Sequence, residues 1–264
     1  MMNYENKICV VTGSTSGIGL GIAEYLLERG ATVYVSGRTL AHMDNAREKL
    51  AKFGDRVRYE LVDLCDYKRA EAYVKRIGDE NERIDYVFAN AGGGTVTRFD
   101  EITWDMWEDI IGSNFLGAVA ALKAAVPFMK KQMGGHLIVT SSLAGYSVNP
   151  YQASYVATKH AVYGMIQSLH YELAPYNITC QAICPGFVRT PIFTRDGEPE
   201  EAIPPQCISI EEAVDEIFAG IENGDITIKV CKESRAYYDA IRNNPDFCDS
   251  EMRNLAAFYQ QILP

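Results

Sequence analysis

Cysteine spacing is the first thing this chain lacks. Seven cysteines, at 9, 65, 180, 184, 207, 231 and 248, are scattered with no Cys-x-x-Cys pair. An odd count without paired spacing argues against both a disulfide framework and a zinc site. Most of these residues lie in apolar runs, which suits small buried hydrophobes in a reducing compartment. Basic charge is short as well. Lys and Arg total 25 against 35 Asp and Glu, a net charge of −10, which disfavours nucleic acid and anionic membrane as partners and suits a small neutral or cationic substrate. No apolar run approaches the ~20 residues a membrane span needs. Proline- or serine-rich linkers, internal repeats and low-complexity tracts are absent too. The opening Met-Met-Asn-Tyr-Glu-Asn-Lys lacks the apolar core of a signal peptide. The expectation is a soluble, cytoplasmic protein with no metal.

What is present fits one domain. At 264 residues and 47% hydrophobic, the chain can bury a single sizeable core over residues 1–264. Strand-like apolar runs fall near 7–12, 32–36, 57–62, 84–89, 136–141, 178–184 and 226–230, with helical periodicity between them. Buried strands alternating with helices imply a parallel sheet covered on both faces. Right-handed crossovers then give an α/β, doubly wound, seven-stranded Rossmann sheet with ligands at the carboxyl ends of its strands. Residues 231–264 read as a helical C-terminal extension.

Two local patterns carry chemistry. After the first strand the chain reads Gly-Ser-Thr-Ser-Gly-Ile-Gly and then turns helical through Arg29. Strand, glycine turn and helix form the context of a phosphate cradle. Gly13 permits the tight turn, Gly17 lets the backbone approach a pyrophosphate, and Gly19 lets the helix pack closely on the strand. The helix N-terminus then faces the anion.

Farther on, Tyr155 and Lys159 stand four apart in Tyr-Val-Ala-Thr-Lys, with Ser142 thirteen residues upstream. Positions i and i+4 share a helix face, so the lysine ammonium can lie beneath the phenol. A free tyrosine titrates near ~10, and bringing it to neutral pH takes about 4 kcal/mol of differential stabilisation, in the direction a neighbouring cation supplies. Tyr155 can then exchange a proton with an alcohol or carbonyl oxygen that the Ser142 hydroxyl also holds. Ser141 competes for that role, but the offset to Tyr155 favours Ser142.

Together these patterns resemble the short-chain dehydrogenase/reductase family, marked by Thr-Gly-x-x-x-Gly-x-Gly near the start and Tyr-x-x-x-Lys later. Asp63-Leu64, Asn90-Ala91-Gly92, Asn114 in Ser-Asn-Phe-Leu-Gly, and Pro185-Gly186 with Thr190 match in the same order. The resemblance covers residues 5 to 230. It implies hydride transfer between a nicotinamide and a carbonyl or carbinol carbon. Tyr155 would move the proton, Lys159 would lower its pKa and bind the nicotinamide ribose, and Ser142 would orient the substrate oxygen. Asn114 would anchor a water linking Lys159 to solvent.

By the same resemblance the cofactor contacts fall to Gly13, Ser14, Ser16, Gly17, Ile18 and Gly19 in the cradle. Beyond it they fall to Arg38, Thr39, Asp63, Leu64, Asn90, Ala91, Gly92, Tyr155 and Lys159. Pro185, Gly186, Val188 and Thr190 would wall the nicotinamide, the last two holding its carboxamide. Asp63 would accept from the adenine amino group, although an Asp after a strand is also an ordinary turn or cap residue. Asn90 would brace the central strands. NAD-preferring relatives place a carboxylate at the end of the second strand, where this chain has Gly37. Arg38 follows, and a guanidinium suits a 2′-phosphate. NADP(H) is therefore favoured over NAD(H), with help expected from Ser14 and Thr39.

His160 adjoins Lys159 but points about 100° away around the helix axis. His42, His136 and His170 sit in separate elements without ligand spacing, so all four read as surface or packing residues. Residues 191 to 209, with Phe193, Ile203, Pro204, Pro205 and Ile208, read as an apolar flap. The extension lacks a Val-Asp-Gly-Gly-like segment common in relatives and carries Tyr237, Tyr238, Phe247, Phe258 and Tyr259. The expected substrate is a small alcohol or ketone, apolar and of hydroxysteroid-like type. A ketoacyl-carrier-protein reductase and a non-catalytic NADP-binding sensor or scaffold are the alternatives. Relatives assemble through two long helices, here near 104–131 and 153–175, so the resemblance implies a homodimer or homotetramer, with small residues Ala157, Ala161 and Gly164 permitting close packing.

Overall fold

The computed structural model describes residues 2–94, 96–194, 203–244 and 248–262. Val10, Val11, Val33, Val35, Val87, Phe88, Leu137 to Val139 and Ala182 to Cys184 are all buried. Strands apolar on both faces need cover on both sides, and only crossover helices supply it. The strands are β1 (Ile8–Val11), β2 (Thr32–Gly37), β3 (Val57–Leu61), β4 (Tyr86–Ala89), β5 (Gly135–Thr140), β6 (Ile178–Pro185) and β7 (Thr227–Val230). All pair in parallel, in the order β3-β2-β1-β4-β5-β6-β7.

On one face lie α1 (Gly17–Glu28), α2 (Leu40–Leu50) and α7 (Ile210–Glu222), packed through Leu26, Met43 and Phe218. On the other lie α3 (Tyr67–Asn81), α5 (Gly117–Gln132) and α6 (Ala153–Leu173), packed through Ile77, Leu122 and Ile166. The chain reverses its direction of winding between β1 and β4. Their carboxyl ends open the crevice where such sheets bind ligands.

The sequence suggests one uninterrupted helix from 104 to 131. Instead, α4 (Trp104–Ile111) and α5 are joined by a π-helical turn, Gly112–Leu116, that contains Asn114. A π turn inserts one residue and so re-aims a side chain, commonly at a functional site. The combined helix Trp104–Gln132 is, by length and composition, long and apolar enough to cross a membrane, contrary to the sequence reading. Its most apolar stretch is 56% buried inside the protein, as a core helix would be.

The extension forms α8 (Lys232–Asn243) and α9 (Cys248–Ile262). Tyr237 donates to Glu251 Oε2 at 2.6 Å, Tyr238 meets Tyr146 edge-on at 5.1 Å, and Tyr259 packs on Tyr151 at 5.3 Å. Phe258 is exposed. Phe247 lies outside the described residues, as does 195–202 of the expected flap. Ile208 is no flap residue: it bridges to Val188 and packs on the core beside α1 and α7.

Candidate active site

Tyr155 and Lys159 occupy the first two turns of α6. The Lys159 ammonium lies 5.6 Å from the centroid of the Tyr155 ring and donates to the Thr140 carbonyl at 2.8 Å. That carbonyl ends β5, so the sheet itself fixes the charge under the phenol. Lys159 is 4% exposed. Burial pushes its pKa down from 10.5 to about 8, opposed in small part by the nearby Cys184 thiol. At pH 7 the ammonium form still predominates.

Ser142 follows β5 in extended backbone and starts a short 3₁₀ turn, where its hydroxyl accepts from Ala144 N at 3.1 Å. Ser141 is turned inward. Its hydroxyl donates to the Lys159 carbonyl at 2.9 Å and is buried, which makes it structural.

The Asn114 amide clamps two elements. Its Oδ1 accepts from Gly93 N at 2.8 Å, and its Nδ2 donates to Gly93 O at 2.8 Å and to Thr158 Oγ1 at 3.0 Å. Thr158 in turn donates to the Tyr155 carbonyl at 2.9 Å. A Cβ on Gly92 would sit 2.9 Å from Asn114 Oδ1 and 3.2 Å from Lys159 Nζ, and one on Gly94 would sit 3.1 Å from the Tyr155 ring. Only glycine lets this loop lie against the pair.

The cradle stands beside it. Gly13 and Gly17 have φ of 60° and 55°, the left-handed region that glycine enters freely. A Cβ on Gly13 would sit 2.6 Å from Ala91 Cα, and Gly19 packs its bare Cα against Gly13 O and Asn90 Nδ2. Ser16, the N-cap of α1, makes no side-chain capping bond, and no acid lies in the helix's first turn. The first N–H groups of α1 therefore point into the rim, where an anion suits them. Asn90 braces β1, β4 and β5: its Nδ2 donates to Gly13 O at 3.1 Å and its Oδ1 accepts from Thr140 Oγ1 at 3.0 Å.

Several expected contacts sit differently. Ser14 is fully buried, its hydroxyl donating to Val11 O at 2.5 Å and accepting from Ser36 N at 3.0 Å, while its own N–H donates to Ser36 O. It ties β1 to β2 and offers nothing to a phosphate. Ile18 is half-buried against one core, while Leu64 and Val188 are buried; the latter two can meet a cofactor through backbone alone. Thr39 caps α2 without a side-chain bond.

A Cβ on Gly37 would lie 2.6 Å from Thr15 Cγ2 and 2.7 Å from its Oγ1, so position 37 has no room for a carboxylate. Arg38 reaches across to Asp109, 3.6 Å away, with both side chains more than half exposed. Asp63 Oδ1 accepts from Cys65 N at 3.1 Å, the turn geometry anticipated as its alternative role. Pro185 ends β6, Gly186 N donates to Val230 O at 3.1 Å, and Thr190 Cβ would be 3.5 Å from a Cβ on Gly17. The loop from 185 to 190 thus stands over the glycine turn.

His136 stacks on Tyr86 at 4.4 Å, and burial holds it down at about 4. His160 lies exposed with its ring against the Val156 carbonyl. Sequence reasoning missed Thr12, Thr140, Thr158 and Asp109. Thr12 stands at the head of the glycine motif, but the others are marked only by contacts between distant segments. A cavity of about 330 Å³ is lined by Arg98, Phe99, Asp100, Tyr151 and Gln260, none of them a catalytic or cradle residue.

The family model for short chain dehydrogenase matches residues 7–201. An uncharacterized oxidoreductase of Myxococcus xanthus is 32% identical over 231 residues, 86% of this chain and 88% of its own. D-beta-hydroxybutyrate dehydrogenase of Cupriavidus necator is 33% identical over 196 residues, 74% and 75% of the two chains. Among solved structures, a short-chain dehydrogenase/reductase from Burkholderia phymatum in complex with NAD gives a TM-score of 0.84 at 21% identity, covering 93% and 96% of the chains. A short chain dehydrogenase from Burkholderia cenocepacia in complex with NADP gives 0.80 at 26% identity, covering 95% and 99%. With matched motifs, sheet order and a lysine seated beneath its tyrosine, this chain belongs to the short-chain dehydrogenase/reductase family of oxidoreductases.

Proposed function

We propose that the protein interconverts a secondary alcohol and a ketone with NADP(H), and that its substrate is apolar. The carrying observation is the Lys159 ammonium, held by the Thr140 carbonyl beneath Tyr155, with Gly92 packed against the ammonium and Gly94 against the phenol ring. When bound, the nicotinamide supplies or accepts the hydride. The chain's own work is positioning and electrostatics: Tyr155 Oη gives or takes the proton of the substrate oxygen, Lys159 favours its phenolate, and Ser142 Oγ orients that oxygen. Asn114 holds the loop and α6 in register, and its water-anchoring role in the proton path belongs to this proposal.

For the cofactor, the bare N-terminus of α1 and the two left-handed glycines fit a pyrophosphate. Relatives in solved structures hold NAD in one case and NADP in another. Here the preference for NADP(H) is supported by Thr15 filling the space beside Gly37 and by the exposed guanidinium of Arg38. For the substrate, Val96, Phe99, Val148, Ile192 and Phe258 are exposed on the segments around the site, which suits an apolar body of hydroxysteroid type. A small hydroxy acid is the second reading, drawn from the Cupriavidus necator relative. Exposed Ala157 and Gly164 on α6 leave a face for a second copy, and we place the homo-oligomer in the cytoplasm.

The test is absorbance at the reduced-nicotinamide band across a panel of ketones, alcohols and hydroxy acids, with both cofactors. Turnover of apolar ketones with NADPH is expected. Cofactor binding without turnover of any panel member would replace the enzyme with a nucleotide sensor.

A further inference from the structure

Where β7 ends, the backbone is forced. Cys231 has φ 68° and ψ 164°, a region that glycine alone occupies freely and that persists elsewhere only when the surroundings over-determine it. The surroundings do so here. Cys231 N donates to Glu216 Oε2 on α7 at 2.7 Å, and the same carboxylate is paired with Arg235 at 2.8 Å. One turn into α8, Ser234 is fully buried.

The Ser234 hydroxyl donates to the Cys184 carbonyl at 2.6 Å and lies 2.5 Å from the Tyr146 hydroxyl. Tyr146 donates in turn to the Ser234 carbonyl at 2.8 Å. Each partner leads to a loop of the site. Tyr146 follows Ser142 across the single 3₁₀ turn Leu143–Gly145, and Cys184 directly precedes Pro185 and Gly186. The fit is close, since a Cβ on Gly186 would fall 2.5 Å from Cys231 Sγ and 3.3 Å from Ser234 N. Tyr238 of the same helix braces the Tyr146 ring edge-on, at 86°.

We propose that Ser234 is a positioning residue. Through Tyr146 and Cys184 it fixes the loop of Ser142 against the loop of Pro185 and Gly186, so the C-terminal extension sets the geometry between substrate oxygen and cofactor wall. This rests on the oxidoreductase reading above. It gives α8 a part in turnover that packing alone would not.

Ser234→Ala and Tyr146→Phe each remove half of the tie and keep the packing. In each, kcat for ketone reduction should fall about tenfold or more, because small misplacements at a reacting centre are amplified. The NADPH dissociation constant, read by fluorescence, should change less than about threefold, since the cradle and adenosine contacts are untouched. The double variant should be no slower than the slower single, as members of one network are not additive. Folded variants with unchanged kcat and only a lower melting midpoint would overturn the proposal, as would losses that multiply in the double variant. If Ser234→Ala does not fold, Tyr146→Phe decides alone. Cys231→Gly, which relaxes the corner and keeps the tie, should retain kcat and melt higher; a tenfold loss there would assign the effect to the thiol and sink the tie. Wild-type protein inert toward the whole panel refutes the oxidoreductase reading, whereas active wild type with unaffected variants refutes only this inference.

Discussion

Lys159 donates to the carbonyl of Thr140 at 2.8 Å, and that bond sets the side of Tyr155 on which positive charge lies. A lysine free to swing would spend its charge on solvent. Tied to the end of β5, it faces the phenol.

Tyr155→Phe removes the proton and keeps the ring. Turnover should drop at least about a thousandfold, within the range of lost acid–base catalysis, while NADPH affinity holds. Stopped-flow absorbance with a fluorescence titration checks both, and retained turnover would remove Tyr155 as the acid/base.

Lys159→Met should inactivate and stabilise together. The wild-type group is held down to about 8 from 10.5, so its charged form costs the folded state about 3 kcal/mol at pH 7, offset by about 1 from the bond to Thr140. The sign follows from burial: the penalty is full below pH 8 and fades as the pH climbs to 10.5, where the unfolded lysine also loses its proton. Denaturant melts should show the variant about 2 kcal/mol more stable at pH 7, with the gap closing above pH 8. A variant less stable at pH 7 contradicts the burial cost.

Arg38→Ala should weaken NADPH about tenfold or more and leave NADH within about twofold, the loss of one charge-assisted phosphate contact. Equal losses for both cofactors would mean that Arg38 acts on the fold through Asp109.

Gly37→Asp should fail to create an NAD enzyme, because its Cβ would overlap Thr15. Melting should show a loss of about 1–3 kcal/mol from overpacking. Adding Thr15→Ala should restore stability and shift preference toward NADH; no recovery in the double variant would place the strain elsewhere.

Asn114→Ala leaves Gly93 N–H and C=O short of a partner. A cost of about 1–3 kcal/mol is expected for these half-buried groups, together with a fall in kcat larger than the change in KM. Unchanged kcat would confine Asn114 to packing.

Much of this was legible in residue order. The apolar runs placed seven strands within two residues of their observed limits, and the glycine spacing located the cradle because left-handed backbone and missing Cβ atoms are properties of single residues. Tyr155 and Lys159 were readable because helical geometry is local. Ser14 misled, since a serine in the motif says nothing of the direction in which its hydroxyl turns. The break in the helix at Asn114 was invisible too: a π turn is set by what Gly93 and Thr158 present from other segments.

The sequence by itself therefore determined the periodicities, the backbone freedoms and the chemical types of the groups, all of which act within a few residues. Only the tertiary structure decided that Thr15 closes position 37, that Thr140 holds Lys159, and that Ser234 ties together two loops whose anchors lie 88 and 50 residues away. Those relations come from parallel strands laying distant segments side by side, and no local pattern encodes which side chains will then face one another.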